Sequence, residues 1–416
     1  MQIELLTIGD ELLLGFTIDT NAAHIARALA ALGVQVVRRG TVGDDADQIA
    51  AAVNEALDRT GAVITTGGLG PTADDRTRDV IAGVFGRKLV KDDAVLAAVE
   101  ARFGKLGVKM PASNVSQAMI PEGARVLTNR HGTAPGLWLT DERGRWCAML
   151  PGVPREMRGM LKEEMLPLIA GMVGADPTVV LSRTLRTTGI GESALAELLG
   201  ELAKGVDGLP LAFLPAWSGV DLRLTSVGRR APGAEACLTA ATAKLSAAAA
   251  RYVYGVDDTD LAAVVLQMCR ERTLRIAVAE SCTGGLVGGR LTAIPGSSEV
   301  FVGGVISYSD AVKQQKLGVR AETLQKNGAV SEPVAREMAE GACREFAAGV
   351  GIAVTGIAGP GGGTPETPDG TVWLAVSVNG TTHTSNRRFV GDREEVRQRA
   401  AQASLDMVRR ALSPQI

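Results

Sequence analysis

Short apolar runs alternate with amphipathic segments through the first 66 residues of the chain. The apolar runs lie at 3–8, 34–39 and 62–66, and the segments at about 21–32 and 46–59 repeat apolar residues at helical spacing. A βαβαβ order of this kind predicts a parallel sheet that binds ligands beyond the carboxyl ends of its strands. We therefore predict an α/β fold for the N-terminal part of the chain.

The same alternation stops and later starts again. Proline and glycine punctuate residues 151–180, which is typical of a domain boundary, and shorter strand and helix patterns follow. From about Leu261 apolar strands and helices alternate to the end of the chain. We predict a parallel-sheet α/β domain at 1–170, a small α+β module at 171–256 and a second α/β domain at 257–416.

Composition narrows the classes of function. Hydrophobic residues make up 46% of the 416 residues, and the net charge is -2, which is typical of a soluble globular protein and disfavours a direct nucleic-acid partner. The five cysteines are scattered and form no CxxC pair, so neither a zinc site nor a disulfide framework is expected. Without an apolar stretch of about 18 residues or a signal-peptide pattern, we expect no membrane partner and a cytoplasmic location.

A serine follows the apolar strand at 275–280 in the sequence ESCTGG. A strand-to-helix turn exposes side chains and leaves backbone N–H groups unpaired. Ser281 is therefore a candidate nucleophile, and the amides of Thr283, Gly284 and Gly285 are candidate donors to an oxyanion. The structural alternative is that Ser281 caps the following helix and that the glycines allow close packing.

A serine nucleophile needs a base, and Lys313 is the candidate. It lies at a helix start just after the strand-like run 301–309, from which it could fold back towards the same strand ends. His383, by contrast, lies in an alternating pattern typical of a surface strand. A Ser–Lys pair is a known variant of triad chemistry, provided that the pKa of the lysine is lowered. A solvated lysine is the alternative.

Further residues complete this candidate site. The Gly- and Pro-rich loop 355–363 follows an apolar strand and predicts either a backbone-donor loop or a structural hairpin. Arg393 and Arg397 lie one helical turn apart and could hold a phosphate, or could be surface charges. Besides the three amides, the predicted substrate-binding residues are Tyr308, Thr355, Gly356, Gly359, Arg393 and Arg397.

The N-terminal part has two turns rich in glycine and acids, each directly after an apolar strand. Glycines allow a close approach to an anion, and acids beside such a cradle suggest a divalent cation that bridges protein and pyrophosphate. Solvated loop acids are the alternative. The predicted ligand contacts are Gly9, Asp10, Glu11, Asn21, Gly67, Gly68, Gly70 and Pro71. The predicted metal ligands are Asp44, Asp75 and Asp79.

Seven ordered motifs in the last part of the chain resemble a known family. They are ESCTGG, PGSS (295–298), SYSDAVK (307–313), GAVSEP (328–333), TGIAGPGGG (355–363), GTVW (370–373) and GDRE (391–394). In order and spacing they resemble the CinA C-terminal domain, the bacterial nicotinamide-nucleotide amidohydrolase family. The resemblance implies hydrolysis of nicotinamide mononucleotide to nicotinate mononucleotide and ammonia without a cofactor. It also implies that Ser281 is the nucleophile and Lys313 its activator.

The N-terminal part resembles the molybdopterin-binding fold. The motifs are the segment at 65–79, NRHGTAPG (129–136) and LPGVPREM (150–157), and the two-part chain as a whole resembles the CinA family of competence/damage-inducible proteins. The resemblance implies functional acids at Asp44 and Asp75, a metal-dependent ADP-ribose pyrophosphatase activity and a homodimer. Both substrates would belong to pyridine nucleotide salvage.

Two other readings stay open. In the first, the chain is a nucleotide- or pterin-binding regulatory protein linked to competence or to the DNA damage response. In the second, the N-terminal part takes part in molybdenum-cofactor chemistry, because a shared fold does not by itself select the ligand.

Overall fold

The computed structural model describes residues 1–174 and 177–413, and the chain divides into two compact units. One unit holds residues 1–181 with 226–236, and the other holds 182–225 with the chain from 237 onwards. Both units contain a sheet with parallel strands and packed helices, so the predicted α/β class is confirmed. Within the described residues, no helix is long and apolar enough to cross a membrane.

A six-stranded mixed sheet forms the centre of the first unit. Its strands and those of a small two-stranded sheet are β1 (Gln2–Ile8), β2 (Gln35–Val42), β3 (Ala62–Thr66), β4 (Leu89–Lys91), β5 (Met119–Pro121), β6 (Arg125–Leu127), β7 (Gly136–Thr140) and β8 (Trp146–Leu150). The helices are α1 (Asp10–Leu13), α2 (Asn21–Ala31), α3 (Ala46–Thr60), α4 (Thr77–Val84), α5 (Asp93–Lys105), α6 (Pro154–Met160) and α7 (Leu166–Val173).

The strand order of this sheet is β2-β1-β3-β8-β7-β6. The first four strands run parallel, whereas β7 and β6 are antiparallel to their neighbours. The parallel sheet predicted for this part is therefore mixed at one edge. The reason is the connection between β7 and β8, because a loop of a few residues can join only antiparallel strands.

Helix α3 shows how local sequence fixes an element of this unit. The side chain of Asp45 accepts a hydrogen bond from the N–H of Gln48 at 3.0 Å, and Gly61 ends the helix in the left-handed conformation, with φ 73°. Ile49, Val53 and Leu57 recur at intervals of four and are buried in the core beside the sheet. Each such side chain contributes roughly 1.5–3 kcal/mol by leaving water.

The central module forms a four-stranded sheet of order β10-β11-β9-β12, in agreement with the predicted α+β pattern. Its elements are β9 (Thr178–Thr187), α8 (Glu192–Leu199), β10 (Leu211–Ala216), β11 (Gly219–Arg230), α9 (Ala231–Ala248) and β12 (Val253–Val256). Most of this module shares the second compact unit with the C-terminal part. The predicted division at 170 and 256 is finer than this two-unit division and stays a prediction.

The C-terminal part is a five-stranded sheet covered by helices. Its strands are β13 (Ile276–Glu280), β14 (Phe301–Ile306), β15 (Val350–Gly356), β16 (Thr371–Val378) and β17 (Thr381–Arg388), in the order β14-β13-β15-β16-β17. The helices are α10 (Leu261–Glu271), α11 (Leu286–Thr292), α12 (Asp310–Leu317), α13 (Ala321–Asn327), α14 (Glu332–Phe346) and α15 (Arg393–Leu412). His383 is exposed on β17, as its alternating pattern predicted.

The register of this sheet brings three chain segments to one edge. Strands β14, β13 and β15 are parallel, and Glu280 at the end of β13 is aligned with Ile306 and Val354. The carboxyl ends of parallel neighbours lie at the same edge, about 5 Å apart. Ser281 therefore lies between Ser307 and Thr355 along this edge.

Candidate functional site

Ser281 begins the turn between β13 and α11. Its N–H donates to the carbonyl of Val354 on β15 at 2.9 Å, and its own carbonyl accepts from the N–H of Gly284 at 3.1 Å. The residue is 8% exposed. The backbone of Ser281 is thus held from both sides, which fixes the origin of its side chain at the sheet edge.

Lys313 lies in the first turn of α12 and is 1% exposed. Its Nζ donates to the carbonyl of Ser307 at 3.0 Å, so the side chain folds back from the helix to the end of β14. The carboxylate of Asp310 lies 3.6 Å from the same nitrogen. Burial lowers the pKa of Lys313, and the opposing attraction of Asp310 does not cancel that effect. A buried ammonium with a lowered pKa is suited to proton transfer.

Glu280 is a site residue that the sequence reasoning missed. Its carboxylate is 1% exposed and accepts hydrogen bonds from the N–H groups of Gly285, Val287 and Gly288, at 3.0, 3.0 and 2.8 Å. An acid directly before Ser281 was the available signal, but its partners lie five to eight residues along the chain. The contacts depend on the turn folding back over the strand end, which spacing alone does not predict.

We expect Glu280→Gln to destabilise the protein by about 2 kcal/mol, because a donating amide would face backbone donors in a buried position. Urea-induced unfolding of the variant and of the wild type measures this difference. The exposed Glu271 on α10 provides the matched control, and Glu271→Gln should change the free energy of unfolding little. Equal stabilities of the two variants would contradict this role of Glu280.

The amides expected to face an oxyanion are largely engaged by the protein itself. The N–H of Gly284 donates to Ser281 and that of Gly285 donates to Glu280, as given above. The buried Glu280 carboxylate requires nearby donors and engages Gly285, while the hydrogen bond that closes the turn engages Gly284. An oxyanion role therefore stays a prediction for the amide of Thr283 alone. The hydroxyl of Thr283 is buried and has no hydrogen-bond partner among the described residues.

The two predicted arginines reach the candidate site from the start of α15. Arg393 donates to the carbonyl of Gly359 at 2.7 Å and to the hydroxyl of Tyr308 at 3.1 Å. Arg397 donates to the carbonyl of Thr283 at 3.0 Å. These contacts bring three sequence-distant segments together around the turn that carries Ser281.

The other predicted residues of this loop have different surroundings. Thr355 is buried, and its hydroxyl donates to the carbonyl of Ala329 at 2.8 Å. Gly356 is the last residue of β15, and a Cβ there would lie 2.7 Å from the side chain of Val372, so close packing accounts for this glycine. Gly359 lies with Arg393 on the wall of a cavity of about 360 Å³.

The N-terminal predictions converge on one cavity of about 480 Å³ at the carboxyl ends of the parallel strands. Of the predicted residues, those that line it are Gly9, Glu11, Asn21, Asp44, Gly67, Gly68, Gly70, Pro71 and Asp75. Gly67 has a φ of 113°, and a Cβ there would lie 2.1 Å from the carbonyl of Ile8, so this position requires glycine.

Two predicted acids are not in the cavity wall. Asp10 exchanges hydrogen bonds with Asp44, its N–H reaching Oδ2 of Asp44 at 3.1 Å and its own carboxylate accepting from the N–H of Asp44 at 3.2 Å. Asp79 lies on α4 with its carboxylate 3.6 Å from Arg78. The metal role predicted for Asp79 has no support from the cavity wall, which contains Asp44 and Asp75 but not Asp79.

The cavity wall is strongly acidic. Its carboxylates belong to Glu11, Asp19, Asp44, Asp74, Asp75 and Glu156, and none of the described residues that line it is Lys or Arg. Burial raises the pKa of Asp44, and the neighbouring carboxylates of Asp10, Glu11 and Asp74 raise it further. Such a cluster fits a divalent cation.

The protein alone does not present a complete metal site. Among residues 1–174 and 177–413, no group of three or more His, Cys, Asp or Glu side chains is arranged to hold a metal ion. The carboxylate of Asp75 accepts from the N–H groups of Gly70 and Thr72, at 2.7 and 2.9 Å. A cation here would need oxygen ligands from an anionic substrate beside those of Asp44 and its neighbours.

Asn21 is the most distinctive neutral group of this cavity. It is 7% exposed, and its Nδ2 donates to the hydroxyl of Thr66 at 3.1 Å and to the carbonyl of Gly152 at 2.7 Å. Its Oδ1 has no hydrogen-bond partner among the described residues. The amide orientation is thus fixed so that the oxygen remains available as an acceptor.

Comparison with known proteins identifies the three parts. Residues 4–171 match the family model described as a probable molybdopterin binding domain, residues 182–255 match the damage-inducible protein CinA KH domain, and residues 258–412 match the CinA C-terminal domain.

Full-length relatives are similar over the whole chain. A CinA-like protein of Gemmatimonas aurantiaca is 61% identical over 99% of this chain and 97% of its own length. A CinA-like protein of Salinibacter ruber is 42% identical over 99% of this chain and 100% of its own. A solved structure described as the competence/damage inducible protein CihA from Agrobacterium tumefaciens is 42% identical and covers 36% of this chain and 93% of its own, with a TM-score of 0.36. The chain belongs to the CinA family.

Proposed function

We propose that the C-terminal part hydrolyses the amide of nicotinamide mononucleotide to nicotinate mononucleotide and ammonia, with Ser281 as nucleophile and Lys313 as its base. The observation that carries the proposal is the buried Lys313 ammonium, whose Nζ reaches the end of β14 beside the strand that leads into Ser281. The family resemblance in ESCTGG and SYSDAVK supports the same pair.

The proposed reaction proceeds through an acyl-enzyme. Neutral Lys313 accepts the hydroxyl proton of Ser281 as Oγ attacks the amide carbon, and a tetrahedral intermediate forms with its charge on oxygen. The C–N bond then breaks, and the proton from Lys313 passes to the departing nitrogen, which leaves as ammonia. Water, deprotonated by Lys313, attacks the ester carbon, releases nicotinate mononucleotide and restores the Ser281 hydroxyl.

Substrate binding in this proposal uses the charges at the start of α15. Arg393 and Arg397 reach the turn from α15, and guanidinium groups bind phosphate oxygens with paired hydrogen bonds. Both side chains are already oriented by the carbonyls that they contact. This orientation reduces the entropy that is lost when a phosphate binds.

The test is ammonia release from nicotinamide mononucleotide by the whole chain in the presence of EDTA. With H₂¹⁸O as solvent, one ¹⁸O should enter the carboxylate of the product. The reaction should not depend on an added divalent ion, because each step uses protein groups and water. Release of nicotinamide instead of ammonia would contradict the proposal, since it would mean cleavage of the glycosidic bond.

The N-terminal cavity supports a second candidate activity, metal-dependent cleavage of the pyrophosphate of ADP-ribose. Six carboxylates and, among the described residues, no Lys or Arg line this cavity, which favours a cation as the partner of an anionic substrate. A bound divalent cation would supply charge neutralisation at the phosphate oxygens. Asp44 would hold it, together with Glu11 or Asp75, and Asn21 would accept a hydrogen bond from the substrate.

We expect Asp44→Asn to lower formation of AMP from ADP-ribose in the presence of Mg²⁺ by at least about tenfold, because the variant loses one charge that would bind the cation. Asp93→Asn, at an exposed position on α5, is the matched control and should retain activity. Binding of Mn²⁺ followed by electron paramagnetic resonance gives a second readout. AMP formation that resists both EDTA and the Asp44 substitution would exclude this role. The domain would then be better described as a pterin- or nucleotide-binding regulatory module.

A further inference from the structure

A third cavity lies within the second compact unit, and neither Ser281 nor Lys313 lines it. It encloses about 470 Å³ between the loop that leads into α8, the β10–β11 turn and one face of α15. The three groups of residues that form its wall are 188–192, 215–220 and the α15 residues from Arg399 to Arg410, with parts of β16 and β17. Its size matches the pockets that hold small ligands.

In this wall, Gln402 and Arg399 have buried donors without a hydrogen-bond partner among the described residues. Gln402 is 2% exposed, and its Nε2 has no hydrogen-bond partner among the described residues, while its Oε1 accepts from Arg290 at 2.7 Å. The Nε of Arg399 is likewise buried and without a partner in the described part of the chain. Buried donors of this kind are costly unless something accepts from them.

Arginines outnumber carboxylates in the wall, with Arg387, Arg399 and Arg410 against Glu192 and Asp406, so its charge favours an anion. Asp406 is already paired, with Arg409 and Arg410 each 2.7 Å from its carboxylate. Arg387 and Arg399 also line the cavity, and neither forms an ion pair within residues 1–174 and 177–413. Gly191 and Glu192 at the start of α8 lie in the cavity wall, and Gly191 provides no side-chain cap for the helix. The first-turn N–H groups of α8 thus add to these donors.

An aromatic ring completes the wall. Trp217 is 40% exposed, and the guanidinium of Arg290 lies over its ring, 5.6 Å from the centroid. Arg290 also donates the hydrogen bond to Oε1 of Gln402, so the Trp217 ring and the Gln402 amide share one positioning residue. Trp217 lines the cavity and Arg290 does not, so the indole gives the wall an apolar surface on which a planar group can stack.

We propose that this cavity is a second nucleotide site, which binds a nucleoside monophosphate with its base against Trp217 and its phosphate near Arg399, Gln402 and the start of α8. All four bases can stack on an aromatic ring, and paired hydrogen-bond donors suit a phosphate. A longer nucleic acid is disfavoured, because the cavity has room for about one nucleotide and the net charge of the chain is -2. The site contains neither Ser281 nor Lys313 and shares no residue with the N-terminal cavity, while Phe389 lies between it and the cavity of Gly359 and Arg393.

Tryptophan fluorescence reports on this cavity alone when wild type and Trp217→Phe are compared. Titration with the four common ribonucleoside 5′-monophosphates should quench the fluorescence of the wild type, and the part of the signal due to Trp217 should be absent from the variant.

Gln402→Glu retains the oxygen that Arg290 contacts but replaces the unpaired donor with a negative charge. We expect it to raise the Kd at least about tenfold, the scale of a lost hydrogen bond to a charged group.

Gln267→Glu is the control, because it adds the same charge at an exposed position of α10. It should leave the Kd within about twofold, as expected for an exposed charge away from the ligand. If Gln402→Glu fails to fold, Arg399→Gln serves as the second variant, with the same expected loss. The proposal would be overturned if none of the four nucleotides gave a Trp217-dependent signal. An unchanged Kd in the Gln402 and Arg399 variants, or displacement of the nucleotide by a tighter-binding single-stranded RNA, would also overturn it. Ammonia release is unaffected by these outcomes and tests the amidohydrolase separately.

Discussion

Ser281→Ala should lower ammonia release from nicotinamide mononucleotide at least about 100-fold, the scale expected when a nucleophile is removed. The substitution deletes only Oγ. Since the backbone of Ser281 is fixed by Val354 and Gly284, the turn should keep its conformation without the hydroxyl. The loss should therefore appear in kcat, with little change in the affinity for substrate.

The control for this experiment is Ser298→Ala, at an exposed position before β14. It should retain wild-type activity. Rapid-quench mass spectrometry of the wild type should also detect an acyl-enzyme, as an increase in protein mass that corresponds to the acyl group of the substrate. Ser281→Ala should show no such increase. Activity of Ser281→Ala within a few-fold of the wild type would exclude covalent catalysis by this residue, whatever the effect of the other substitutions.

The positions of Ser281 and of the segment that carries Lys313 at one edge of the sheet follow from the sequence. Apolar runs of five or six residues before ESCTGG and SYSDAVK predict two parallel strands, and parallel strands end at a common edge. The structure has β13 and β14 as neighbours with Glu280 aligned to Ile306. The catalytic roles of Ser281 and Lys313 go beyond that placement and stay predictions until activity is measured.

Other features could not be predicted from the sequence because they depend on tertiary contacts. The carboxylate of Glu280 is satisfied by amides five to eight residues away, and this turn geometry removes two of the expected oxyanion donors. Asp75 and Asp79 belong to the same acidic segment, yet only Asp75 lines the cavity, whereas Asp79 lies in the first turn of α4. The cavity beside Trp217 joins segments about 180 residues apart in the sequence, which no local pattern connects.

Lys313→Met should abolish most of the amidohydrolase activity, with a loss between about 100- and 10,000-fold, the range that general bases contribute. Methionine has a similar length and is apolar, so it should pack in the buried position and avoid the collapse that alanine could cause. Lys316→Met, on the exposed face of the same helix, is the matched control and should retain activity. Unchanged thermal unfolding of both variants separates catalysis from stability.

The pH dependence of kcat/KM distinguishes a catalytic role of Lys313 from a purely structural one. The base must be neutral, so kcat/KM of the wild type should rise with pH as Lys313 loses its proton. Burial lowers the pKa of Lys313, and this rise should occur below the ordinary range of lysine. The carboxylate of Asp310 favours the ammonium and raises the pKa. Asp310→Asn should therefore move the rising limb to lower pH, while Lys313→Met should lack that limb. A limb that stays in place in Asp310→Asn, or persists in Lys313→Met, would mean that another group is the base.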